Sequence, residues 1–128
     1  MTIEDLKNVR RQKLRVVALE ERIESLRSRA EYNQRQLGEC GRSDPTRDRL
    51  AEYAAELDEL ERELTGEMIV LEKQLVFVDA ELAMLPKKQA EVLQLKYCEG
   101  KRWREVAKNV HYSESYCKAM AKNNWTRL

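Results

Sequence analysis

The sequence predicts an all-α protein: a long antiparallel coiled-coil hairpin followed by a helix-turn-helix module. Three observations lead there. Two long stretches repeat apolar side chains every seven positions, the spacing of paired helices. One break, at residues 38–45, separates them. From Leu85 onward the pattern shortens into three brief amphipathic segments punctuated by Gly100 and by His111-Tyr112.

The first stretch runs from about Ile3 to Leu37. Val9, Val16, Ile23, Ala30 and Leu37 are each seven apart, and Leu19 and Leu26 fill the alternate position. The remainder is mostly charged. So narrow a seam is buried only against another helix. Asn33 falls where leucine would continue it, and a buried amide there would fix the register.

Gly38, Gly41 and Pro45 end that helix, and Ser43 or Asp44 can cap the next with Pro45 at its first position. The second seam is Leu50, Leu57, Leu64, Leu71, Val78 and Leu85, joined early by Tyr53 and Leu60 and later by Met68, Leu75 and Leu82. The change after Leu64, close to Gly66, is the drift of a straight helix against a strict seven-residue repeat. Residues 1–42 carry ten basic and seven acidic side chains, whereas 44–85 carry four and twelve. Opposite charge favours laying the two helices side by side, although each exposed pair contributes only about 0–1 kcal/mol. A second copy of the chain would satisfy the same pattern. Closure within one chain and pairing between chains are both open, and a thin hairpin points to a homodimer. Residues 1–85 are thus expected to form an oligomerisation domain, with residues 86–128 as a second domain.

In the second domain, Pro86 suits the first position of a helix. Val92, Leu93 and Leu95 to Tyr97 supply its apolar face, and Gly100 offers a left-handed stop. Trp103, Val106, Ala107 and Val110 form the inward side of a short second helix. His111 and Tyr112 make the turn, and Ser113 caps a third helix whose inward side is Tyr116, Cys117, Met120 and Ala121. This domain holds ten Lys/Arg against four Asp/Glu, while the whole chain has a net charge of +1. The attraction for nucleic acid is therefore local.

This arrangement resembles region 4 of the sigma-70 family, which reads an upstream promoter element. The resemblance is carried by Leu85-Pro86, Val92-Leu93, Leu95-Lys96-Tyr97, Glu99-Gly100, Trp103-Arg104-Glu105-Val106-Ala107, and Ser113 with Cys117-Lys118. The resemblance covers about a third of the chain. The chain departs from it at His111, where the family has glycine, and at Tyr116, which is large for its place. A coiled-coil hairpin joined to such a module is similar to phage and prophage late-transcription regulators of the ArpU and RinA type. That resemblance implies control of phage gene expression through promoter DNA in the cytoplasm of a bacterial host, with RNA polymerase as a further possible partner.

In a helix-turn-helix, the second helix of the pair enters the major groove. Ser115, Tyr116, Lys118, Ala119, Lys122 and Asn123 are then the candidate base-reading residues, on a recognition helix at about residues 113–126. Asn123 matches adenine and Lys118 matches guanine acceptors. Lys101, Arg102, Arg104, Lys108 and Ser113 are the candidates for phosphate contacts, which set affinity and orientation. Trp103 and Trp125 fall at inward positions and read as core.

Other classes find little support. Cys40, Cys98 and Cys117 form no CxxC pair and have one histidine between them, so neither structural zinc nor a disulfide framework is expected. No apolar run reaches membrane-spanning length. There is no phosphate loop or nucleophile motif, so neither catalytic residues nor a cofactor are expected. Two alternatives to a double-stranded-DNA reader stay open: an RNA polymerase-binding adaptor that leaves DNA alone, and a DNA-packaging protein of the terminase small-subunit kind.

Overall fold

A computed structural model describes residues 1–39 and 44–122, with backbone alone for 36–39 and 44–47. Every element among these residues is helical: α1 (Ile3–Glu39), α2 (Asp44–Leu82), α3 (Lys87–Leu93), a π-helical turn (Gln94–Cys98), α4 (Trp103–Val110) and α5 (Glu114–Lys122). Asn123, Trp125 and the part of the expected recognition helix beyond Lys122 lie outside the described residues.

The start of α1 is set by a reciprocal cap. The Thr2 backbone N–H donates to Asp5 Oδ2 at 2.8 Å, and the Asp5 N–H donates to Thr2 Oγ1 at 3.3 Å. Two of the N–H groups that a helix start leaves unpaired are thereby satisfied, and Asp5 places negative charge at the positive end of the helix dipole.

The chain divides into two compact units that cut across the expected boundary at residue 85. One comprises Met1–Lys13 with Val70–Leu128, the other Leu14–Ile69. The reason is visible in the first core. Leu6 and Val9 of α1 and Val78 and Leu82 of α2 are buried in one cluster with Val92, Leu93, Val106, Val110, Cys117 and Ala121. The three short helices alone are too small to enclose such a cluster. The ends of the two long helices complete it.

In the second unit, Ile23 and Leu26 of α1 are buried with Leu60 of α2, flanked by Leu19, Tyr53, Leu57 and Leu64. Arg27 Nη2 meets Glu61 Oε1 at 2.6 Å, a contact of opposite charges between the two helices. Two details of the expected seam change. Asn33 Nδ2 donates to the Arg29 carbonyl at 3.1 Å on its own helix, and among the described residues no hydrogen bond carries it across the seam. Met68 is 49% exposed. Leu64 and Leu71 are half-buried, and Glu67 takes the alternate position between them. The drift thus comes later than Leu64, at 74–75 and 81–82, where both neighbours are at least partly buried. There α2 serves a wider globular core and presents a broader face.

Candidate nucleic-acid interface

The three short helices pack on one another, α3 against both α4 and α5, and α4 against α5. Pro86 precedes α3 and does not open it; its φ of −53° and ψ of 140° are those of a residue outside the helix, and its carbonyl accepts the Ala90 N–H. At the other end the helix widens into the π turn, which the sequence pattern did not suggest. The Glu99 N–H reaches the Gln94 carbonyl and the Lys101 N–H the Leu95 carbonyl, closing the end over Gly100. Gly100 has a φ of 70°, the left-handed value expected at its position.

The helix pair α4–α5 turns at His111, whose φ of 62° and ψ of 34° are left-handed. Ser113 Oγ accepts the Tyr116 N–H at 3.2 Å, so Ser113 is the N-cap of α5. Val106, Val110, Cys117 and Ala121 form the buried side of the pair. Gln89, itself buried, fastens α3 to α5 by donating from Nε2 to the Met120 carbonyl at 2.9 Å.

With that side fixed, the remaining side chains of α5 have one direction to face. Ser115, Tyr116, Lys118, Ala119 and Lys122 are all exposed. Lys118, Ala119 and Lys122 lie three, four and seven residues after Ser115, so the four share a helical face. Tyr116 belongs with them and not with the inward side: it is 53% exposed. Arg102, Arg104, Lys108 and Ser113 are exposed, and Lys101 is half-buried. Arg104 and Lys108 share a face of α4, with Lys101 and Arg102 just ahead of its first residue. Among the described residues the ion pairs are Arg11–Glu4, Arg27–Glu61, Arg62–Asp58 and Lys88–Glu91. None involves a basic residue between Lys96 and Lys122. The Glu105 carboxylate likewise pairs with none of these cations.

Three features were not singled out from the sequence. Tyr112 and Tyr116 meet edge-to-face, with centroids 4.9 Å apart and rings at 67°. The Lys88 ammonium stands 6.0 Å from the Tyr112 ring. Both tyrosines sit one turn apart around the cap of α5, a spacing visible in the sequence but uninterpretable without the turn geometry. Thirdly, the Lys96 ammonium lies 5.1 Å from the centre of the half-buried Trp103 ring, a cation–π contact at the start of α4.

Burial raises the thiols of Cys98 and Cys117 above their ordinary range. For Cys98, nearby Asp79 and Glu99 add to the rise and Lys13 opposes it; for Cys117, Glu114 adds to it. Burial also raises the Tyr97 hydroxyl. These are properties of packed groups, and a protonated buried thiol is a poor nucleophile. Among the described residues no group of three or more His, Cys, Asp or Glu is placed to hold a metal ion, and no helix is long and apolar enough to cross a membrane. A groove is lined by Leu82, Leu85 and Ala90 together with Asp79, Lys87 and Glu91.

Compared with known proteins, the chain matches a family described as proteins of unknown function, DUF722, over residues 16–125. It belongs to that family. No curated protein and no solved structure matches it.

Proposed function

We propose that this protein is a sequence-specific double-stranded-DNA-binding regulator of transcription for phage or prophage genes, with α4 and α5 as its helix-turn-helix. The reading rests on one observation above others. A left-handed turn at His111 and a capped α5 leave Ser115, Tyr116, Lys118, Ala119 and Lys122 exposed together, opposite the buried Cys117 and Ala121. That is the surface a recognition helix presents to base edges. The cations beside it have no carboxylate partner among the described residues, as groups that serve phosphate oxygens require. The departure at His111 is accommodated by the same left-handed geometry that glycine would give.

In this reading α1 and α2 close as an antiparallel coiled-coil hairpin within one chain, and two copies associate through it. The protein is not an enzyme and works in the host cytoplasm, with RNA polymerase as a neighbour at the promoter.

Selection from random duplex DNA at physiological salt tests this directly. One enriched motif is expected, with two half-sites at fixed spacing as the mark of a dimer. The double substitution Lys118→Ala, Lys122→Ala should remove the preference for that motif while helicity and assembly state stay as they are. Weak, unselective binding that disappears with added salt would leave only a basic surface. The adaptor reading, with RNA polymerase as the ligand, would then replace this one.

A further inference from the structure

Gly100 is the only described glycine with a positive φ, and its missing side chain is occupied by a neighbour. A Cβ built there would run into the guanidinium of Arg10, its Nη2 only 2.9 Å away. Arg10 is an exposed residue of α1. It lies far away in sequence from the three short helices but within the same compact unit. The guanidinium thus rests against the loop that carries Lys101 and Arg102 into the first turn of α4. Glu99 is the acidic residue of that loop, and Arg10 is ion-paired neither with it nor with any other carboxylate among the described residues. Its neighbour Arg11, in contrast, is tied to Glu4 at 2.7 Å.

We infer that Arg10 is a phosphate-contacting residue, supplied by the N-terminal helix to the DNA-binding surface of α4 and α5. The inference rests on the DNA reading above. Physically, the first helix of a helix-turn-helix crosses the DNA backbone, so the loop leading into α4 falls where phosphate contacts are expected. Three cations from two distant parts of the chain, Arg10, Lys101 and Arg102, converge there. The planar guanidinium of Arg10 can meet a phosphate with two parallel N–H donors. Gly100 contributes by letting that plane lie close to the backbone. The same contact explains a use for the first residues of α1 beyond completing a core: they bring a fixed charge to the interface.

The test compares the full-length parent with Arg10→Gln and Arg10→Lys on the selected duplex and on a scrambled one, across a salt series. A phosphate contact predicts that Arg10→Gln weakens both duplexes by about the same factor and lowers the slope of log affinity against log salt by about one. Arg10→Lys should keep the slope. Melting temperature should be the same for all three proteins, since Arg10 is exposed. A parent that binds the selected duplex, with Arg10→Gln showing the same slope, overturns this inference alone. A lower melting temperature with an unchanged slope does so too, and would make Arg10 a cover for Gly100. A parent that binds no duplex overturns the DNA reading and this inference with it.

Discussion

His111 shows how one residue can be forced by its neighbours. Val110 must remain buried on α4 and Cys117 on α5, so the chain between them has to reverse in a few residues. The reversal puts His111 at a φ of 62°, where an L side chain crowds its own carbonyl at a cost of about 1–2 kcal/mol. Its side chain is exposed, so burial does not offset the strain. His111→Gly should therefore stabilise the protein by about 1 kcal/mol, the larger backbone entropy of glycine offsetting part of the relief. The midpoint of urea denaturation measures this, and the rise should leave unchanged the DNA affinity that the proposed function calls for. A lower midpoint would mean that the imidazole makes a contact that matters.

At the scale of elements, α5 and the π turn each bury a thiol that holds its proton more firmly when folded. Cys117 lies on α5 and Cys98 ends the π turn, and burial raises both above the ordinary value of 9.0. A folded state that binds protons more tightly than the unfolded chain loses stability as pH rises. The contribution is whole below the ordinary thiol range and fades as pH climbs through the raised values. Tyr97 acts in the same direction from its own ordinary value of 10.0 upward. Melting temperature should accordingly be level near neutrality and decline on the alkaline side, and Cys117→Ala should flatten part of that decline. Much of the layout that creates these sites is legible in the sequence. Gly100, His111 and Ser113 punctuate it at positions where only particular backbone conformations or caps are needed, and the buried sides of α4 and α5 follow helical spacing. The π turn is not legible, because its extra residue changes which carbonyl each N–H meets without changing residue types. Neither is Tyr116's direction: its spacing fits either edge of α5, and only the packed turn decides. At Asn33 the sequence leaves two choices open. An amide can satisfy itself on its own helix as readily as across a seam.

For the whole molecule, the core that the C-terminal helices share is larger than their own stretch of sequence. Read along the chain, residues 86–128 contain three helices, a turn and a cap, and nothing announces that more is required. The heptads before them show where α1 and α2 are apolar but not which partner each segment meets. In the structure Leu6 and Val9 are fully buried, and they share a cluster with Val92, Val106 and Cys117. Removing a buried leucine side chain typically costs about 2–5 kcal/mol, a large part of the stability of a domain this small. Leu6→Ala should thus destabilise the C-terminal helices although it lies at the other end of the sequence. A fragment of residues 86–128 should lose most of its fixed tertiary packing, and one lacking only residues 1–13 should fare little better. Hydrogen exchange of the Val106 and Cys117 amides gives the reading: fast exchange in both fragments and protection in the full chain. Protection that survives in the short fragment would show that three helices suffice, and that the N-terminal turns merely lie against a finished core. Should protection fail as expected, any loss of the proposed DNA binding on N-terminal truncation would have to be read as loss of the module's fold before any loss of avidity between the proposed paired copies.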